Sequence, residues 1–221
     1  MNSKLFIVLL GAPGSGKGTQ IPTILQKYKL DLFSTGDNLK KEMKNETLLG
    51  KKIKYYLANG KLVPDQIIIE MLEDLVFKKS KKSNGFLIDG SPRTENQAIL
   101  FEQMLNKINC KVNAAIDFLV PDNILYERIK GRLIHVSSGR IYHKKFNPPK
   151  IEMRDDITNE ILIKRKDDNP KILKKRLKEF HKFIPSVRKF YSKLNVLITL
   201  NGNQSAKQLS NEILISLNKL I

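Results

Sequence analysis

The 221-residue chain predicts a three-layer α/β fold: a five-stranded parallel sheet with helices on both faces, plus a small inserted β element. Three observations carry this. An apolar run at residues 5–10 feeds directly into a glycine-rich loop and then a helical stretch. Four further short apolar runs alternate with segments of helical periodicity. Between residues 132 and 168 the alternation breaks into turn signals and short β-prone pieces.

Residues 5–10 read as a buried strand, residues 11–18 as the glycine loop, and the helix after it runs to about Tyr28. Further strands are expected at residues 30–33, 86–88, 114–120 and 196–200. Helices are expected at residues 66–77, 95–105 and 205–220, where apolar residues recur at helical spacing. Strands alternating with helices require crossover connections, so the sheet is parallel and helices cover both faces. In the insertion, Ser-Ser-Gly, Asn-Pro-Pro and Asp-Asp-Ile-Thr-Asn turns flank a β-prone piece at residues 140–143.

Composition bounds the function classes. At 41% hydrophobic and 28% charged the chain has an ordinary globular composition, which excludes disordered and fibrous classes. Its early apolar run is too short to span a membrane and lacks a signal-peptide cleavage pattern, so a cytoplasmic protein with no membrane partner is expected. The single Cys110 excludes an internal disulfide and a cysteine-based metal site. The net charge of +18 is concentrated at residues 164–193, where twelve Lys or Arg face three acids. Bases at helical spacing with apolar residues between them predict a solvated helix face, and no aromatic-rich nucleic-acid motif accompanies them. No nucleic-acid partner is expected.

Gly11-Ala12-Pro13-Gly14-Ser15-Gly16-Lys17-Gly18-Thr19 has Walker A spacing, with a glycine between the lysine and the hydroxyl residue. Glycines let backbone N–H groups turn onto phosphates, the following helix presents its positive end, and Lys17 reaches the terminal phosphates. Thr19 orients the loop or approaches a metal. Asp89 closes a buried strand beside this loop, where a carboxylate can hold magnesium through water. Asp37 is a second candidate for that role, with a helix N-cap as its structural alternative.

The longer string Gly-Ala-Pro-Gly-Ser-Gly-Lys-Gly-Thr-Gln is followed by Ser34-Thr35-Gly36-Asp37, Gly60-Lys61-Leu62-Val63-Pro64-Asp65 and Asp89-Gly90-Ser91-Pro92-Arg93-Thr94 with Gln97. Then come Gly131-Arg132-Leu133-Ile134-His135, Ser138-Gly139-Arg140-Ile141-Tyr142-His143, Asn147-Pro148-Pro149, Asp156-Ile157-Thr158 and Arg165-Lys166-Asp167-Asp168. In kind and order these blocks resemble the adenylate kinase family, over essentially the whole chain. The resemblance implies a P-loop nucleoside monophosphate kinase that is monomeric and transfers a phosphoryl group between magnesium-bound ATP and AMP to give two ADP. It divides the chain into a core, an AMP-binding segment at 34–63 and a lid at 132–168.

By the same resemblance, Lys17, Arg93, Arg132, Arg165 and Arg176 are the catalytic cations, because phosphoryl transfer asks mainly for positioning and charge neutralisation. Gly14, Ser15, Gly16, Lys17, Gly18 and Thr19 hold the ATP phosphates, Arg132 reaches in from the lid, and Arg128 lies against the donor adenine. The AMP site takes Thr35, Lys40, Lys61, Leu62, Val63, Gly90, Arg93, Gln97, Arg165 and Arg176. Asp167 and Asp168 fall near the lid hinge.

Two positions depart from the family pattern. Lys40 stands where an arginine usually meets the AMP phosphate, losing bidentate geometry, and Ser91 replaces an aromatic ring near the bound base. Where some relatives carry zinc cysteines the lid has His135, Ser138, Asp155 and Thr158, a hydrogen-bonded substitute, so no structural zinc is expected. Asn159 takes the place of a turn glycine. Two alternatives stay open: a GTP:AMP phosphotransferase of the same fold, and a weakly active nucleotide-binding relative.

Overall fold

The computed structural model describes residues 4–45, 47–58, 62–79, 83–165 and 168–220. The chain runs β1 (Leu5–Gly11), α1 (Lys17–Tyr28), β2 (Asp31–Ser34), α2 (Thr35–Lys44), α3 (Leu48–Ala58), α4 (Asp65–Lys79), β3 (Gly85–Asp89), α5 (Glu95–Asn106), β4 (Ala114–Leu119) and α6 (Asp122–Lys130). It continues through β5 (Arg132–Ile134), β6 (Ile141–His143), α7 (Pro170–Lys193), β7 (Leu197–Asn201) and α8 (Ala206–Leu220). Five strands form one parallel sheet in the order β2-β3-β1-β4-β7. Strands β2 and β3 lie on one side of β1 and β4 and β7 on the other, so the strand order reverses at β1. Their carboxyl ends therefore open a crevice at the end of β1, where ligands bind in open parallel sheets.

The β1 side chains divide the core in two. Phe6, Val8 and Leu10 pack with residues of α4, α5 and α7, including Leu72, Phe101 and Val187. Ile7 and Leu9 point the other way, onto Ile24 of α1 and Leu209, Ile213 and Leu217 of α8. A strand buried on both faces reads as an unbroken apolar run, which is why residues 5–10 show no alternation. A smaller cluster of Leu39, Ile53, Val63 and Ile68 ties α2 and α3 to α4. The strands β5 and β6 pair antiparallel around Leu133, Tyr142 and Leu162, the inserted β element.

Helix α7 is 24 residues long and continues through Pro185. Its start is explicit: Asn169 Oδ1 accepts the Lys171 N–H at 2.8 Å, with Pro170 at the first helical position. Leu173, Leu177, Ile184, Val187 and Tyr191 form its buried stripe. Lys171, Lys174, Lys175, Lys178, Lys182, Lys189 and Lys193 lie exposed on the opposite side, so the basic cluster is a solvated helix face. Among the described residues no helix is long and apolar enough to cross a membrane.

Candidate active site

The site grows out of the end of β1. Gly14 and Gly16 adopt positive φ of 86° and 101°, a region open to glycine without steric cost, and they turn the loop so that α1 begins at Lys17. That helix opens with no side-chain cap and no acid in its first turn, which leaves its N–H groups and positive end to an anion. Ser15 is fully buried and Thr19 is exposed. The glycine between lysine and threonine lies against the insertion: a Cβ at Gly18 would sit 3.0 Å from Ile141 Cδ1 of β6 and push that methyl aside. The inserted element thus reaches the phosphate loop.

Lys17 Nζ donates to Gly11 O at 2.6 Å and Ala12 O at 3.1 Å. Crowding by protein atoms lowers its pKa; Arg93 and Arg176 add to the effect, and Asp89 and Asp117 oppose it. Surrounding protein atoms, then the charge of Arg176, lower the pKa of Arg93, again with Asp89 opposing, although the side chain still reaches solvent. These couplings place Lys17, Arg93, Arg176 and Asp89 around one space at the mouth of the loop. Three cations face Asp89 there, while Asp117, the other carboxylate near Lys17, is engaged by Arg188; a cluster of cations is suited to a polyanion.

Asp89 lies at the end of β3, in register with Leu9 on one side and Ser34 on the other. Its Oδ1 is buried with no hydrogen-bond partner among the described residues, a costly condition unless a ligand completes it. Magnesium keeps several waters and needs only one or two protein carboxylates beside phosphate oxygens, so this oxygen fits a hydrated cation. Asp37 stands differently. Its carboxylate is 73% exposed and pairs with Lys40 at 3.3 Å. Nor is it the helix cap: Ser34 caps α2, accepting the Asp37 N–H at 3.4 Å and donating to Asp37 Oδ2 at 2.9 Å. Asp37, at the third helical position, is thereby held to the cap residue through the Ser34 hydroxyl.

Around the end of β3, Arg93 Nε donates to Gly90 O at 2.8 Å, and a Cβ at Gly90 would lie 3.6 Å from Thr35 Oγ1 and 3.7 Å from Arg93 Nη2. Thr35 Oγ1 is a second buried polar atom without a partner among the described residues. Gln97 is buried; its Oε1 accepts from Arg93 N at 2.7 Å and Ser91 Oγ at 3.2 Å, and its Nε2 donates to Asp65 Oδ1 at 2.8 Å. Ser91, at 3% exposure, is therefore enclosed beside Gln97, with no open space in which a ring would face a base. Leu62 is half-buried and the Val63 side chain is buried, so this stretch has mainly backbone to offer. Lys61 and Asp167 lie outside the described residues.

Arg128 sits on α6 and donates to Ser15 O at 3.3 Å and Gly202 O at 2.9 Å, tying the phosphate loop to the turn after β7. Arg132 is clamped in two hydrogen bonds by Asp168, with Nε to Oδ2 at 2.8 Å and Nη2 to Oδ1. Arg165 is half-buried in the segment leaving the insertion. In the insertion, His135 Nδ1 lies 2.7 Å from Ser138 Oγ, and Thr158 Oγ1 donates to Asp155 Oδ2 at 3.0 Å. The four sequence-selected residues do form one network. It is larger than they suggested: Glu160 bonds His135 Nε2, while Arg140 grips Asp155 at 2.8 and 2.6 Å and Tyr142 donates to it at 3.0 Å. The Arg140 guanidinium, ahead of the other donors, holds the Asp155 carboxyl far below the usual carboxylate range.

The sequence places Asp65 in a motif block without indicating its role as the acceptor for Gln97, Thr94 and Asn96, and it gives no sign of the pair Asp117–Arg188. Asp117 is fully buried on β4 and receives Arg188 Nε at 2.6 Å and Nη2 at 3.2 Å. Both arrangements join residues far apart in the chain, Asp65 with Gln97 between two separate motif blocks and Asp117 with Arg188 outside any motif.

The family model described as adenylate kinase matches residues 9–196. The adenylate kinase of Francisella tularensis subsp. holarctica strain OSU18 is 44% identical over 220 residues, covering 96% of this chain and 99% of that one. The adenylate kinase of Kluyveromyces lactis is 41% identical over 213 residues, covering 96% and 94%. Likeness of that depth over nearly the full length, on a parallel sheet with a phosphate loop at its switch point, means that the chain belongs to the adenylate kinase family and is a nucleoside monophosphate kinase, a phosphotransferase.

Proposed function

We propose that the protein catalyses ATP + AMP = 2 ADP, with magnesium bound to the triphosphate. The observation that supports this reading most is the phosphate loop at the end of β1 beside Asp89, whose buried Oδ1 is unpartnered among the described residues, with Lys17, Arg93 and Arg176 close enough to sense one another's charge. Two nucleotides meeting there put their phosphates among three cations, and a transferring phosphoryl group, whose charge spreads over its oxygens, is stabilised by such a cluster without a protein nucleophile.

In this reading Gly14, Ser15, Gly16, Gly18 and Thr19 present the loop and first helical turn to the triphosphate, and Lys17 turns from the loop carbonyls to its terminal oxygens. Arg128 borders the donor base. Segment 34–63 holds the monophosphate, with Thr35 and Gln97 at its base, Gly90 and the backbone near Val63 beside it, and Lys40 at its phosphate. Segment 132–168 is the lid. Its closure brings Arg132 and Arg165 to the phosphates and expels water, which would otherwise accept the phosphoryl group; the handling of water by such lids is general to this class of enzyme. Asp89 holds magnesium, with Asp37 in support. When bound, the ion neutralises charge on the phosphate oxygens.

A coupled assay of ADP formation tests this with ATP or GTP as donor, AMP as acceptor, and magnesium present or chelated. The expected result is ADP formation that requires both nucleotides and the metal and is fastest with ATP. Absence of turnover with AMP under every donor overturns the reading, and a preference for GTP reassigns the donor.

A further inference from the structure

We infer that the lysine row along α7 is an electrostatic docking surface for an anionic lipid bilayer, on which the enzyme rests without inserting; this holds whichever nucleotides the site takes.

Helix α7 carries seven lysines and two arginines against one acid, Glu179. The fold sorts the cations by type. Arg188 turns inward onto Asp117, at 2.6 Å, and Arg176 belongs with Lys17 and Arg93. All seven lysines, from Lys171 to Lys193, are exposed. With about 3.6 residues per turn and a rise of about 1.5 Å per residue, they fall within a sector of about 100° along a row about 33 Å long. Glu179 is half-buried and lies outside that sector. Among the described residues no carboxylate pairs with any of the seven.

Such a row is unfavourable in the free chain. Lys171 and Lys175, Lys174 and Lys178, Lys178 and Lys182, and Lys189 and Lys193 are like charges one helical turn apart, which repel. Lys171 also stands in the first turn, at the positive end of the helix. An anionic surface relieves both.

The partner's chemistry follows from the sorting. A chain with no spanning helix among the described residues still lies on a bilayer by charge when its lysines cluster on one helix face. Ammonium groups on flexible stems are point charges, suited to a fluid array of anionic headgroups. Nucleic acid is met by arginines that grip phosphates bidentately and by rings on which bases stack. Here both arginines turn inward and no aromatic residue falls in the lysine sector. Leu177, Ile184 and Val187 are committed to the core, so nothing inserts and the contact is Coulombic and reversible. Arg176 leaves the helix about 140° round from the middle of the row, so contact through the lysines leaves it to the nucleotides.

The test is sedimentation of the full chain with phosphatidylcholine vesicles, with or without about 30% phosphatidylserine, at about 0.05, 0.15 and 0.5 M salt. Binding is expected to the anionic vesicles only and to fall steeply with salt. The triple variant Lys174→Gln, Lys178→Gln, Lys182→Gln should partition about a hundredfold more weakly, about fivefold for each charge. A control triple, Lys27→Gln, Lys207→Gln, Lys219→Gln, removes the same net charge from exposed positions on α1 and α8, across the sheet, and should lose less than about threefold. The α7 triple should keep wild-type ADP formation and melt no lower than wild type, since it removes like-charge pairs. Equal losses in the two triples would show that net charge alone acts and overturn the inference, as would absence of binding to anionic vesicles at about 0.15 M salt. Tighter retention on a mixed-sequence duplex than on those vesicles at the same salt would overturn it in favour of nucleic acid.

Discussion

Lys17→Ala separates catalysis from folding more sharply than any other single change. The ammonium donates to Gly11 O at 2.6 Å and Ala12 O at 3.1 Å, and hydrogen bonds to charged groups contribute roughly 1.5–3 kcal/mol each. Against this, the group is crowded by protein and faces Arg93 and Arg176, which lowers its pKa, so removing it relieves a repulsion among cations. The two effects oppose, and the net change in stability should stay within about 2 kcal/mol, a shift of at most roughly 8 °C in Tm for a chain of this length. Turnover behaves otherwise. Deleting one preorganised donor to developing charge costs about 10²–10³ in kcat. The assay is steady-state ADP formation with a thermal melt on the same preparation. A folded variant whose kcat lies within about tenfold of wild type would refute the assignment of Lys17 to the phosphates.

Three further outcomes follow from the geometry. Asp155→Asn should lower the melting temperature at neutral pH. Arg140 depresses the carboxyl pKa in the folded state, so its stabilisation is full above the ordinary carboxyl range and declines progressively as pH falls from there toward the much lower folded value. The gap to wild type should therefore begin to narrow below about pH 4, and a constant gap in melts from neutral to strongly acid pH would contradict this. Arg132→Ala and Arg165→Ala should lower kcat more than they raise KM for AMP, because lid cations meet the phosphates after closure; a pure KM effect would remove them from the reacting phosphates. Lys40→Arg should lower KM for AMP by roughly twofold to fivefold, since a guanidinium holds phosphate through two aligned N–H groups, and an unchanged constant would show that Lys40 does not contact it.

The parts of the molecule legible in sequence are those whose signal is local. The strand read at residues 5–10 is β1 extended by Gly11, and that read at residues 86–88 is β3 extended at both ends. Fully buried parallel strands are continuous apolar runs bounded by glycine or polar residues. The phosphate loop was legible because glycines, lysine and helix start fall within ten residues. Helix α7 was only half legible: a proline inside a helical pattern normally marks its end, yet the helix continues past Pro185, held by Ile184, Val187 and Tyr191 in the core. Long-range polar pairs were not legible at all. Arg188 reaches Asp117 across 71 residues and Gln97 reaches Asp65 across 32, and no periodicity or spacing rule links such positions. Ser91 shows the same limit. A lost aromatic ring is visible in sequence, whereas the hydroxyl's hold on Gln97 is visible only once α5 folds back onto the end of β3.

The central claim is that two nucleotides meet head to head over Lys17, Arg93 and Arg176. A crystal structure with a bisubstrate analogue, two adenosines joined through a chain of phosphates, tests it most directly. The account predicts the phosphate chain lying among those three cations, one base bordered by Arg128 and the other against Thr35 and Gln97. A phosphate chain that bypasses Arg93 and Arg176, or a second adenosine bound away from Thr35 and Gln97, would contradict it.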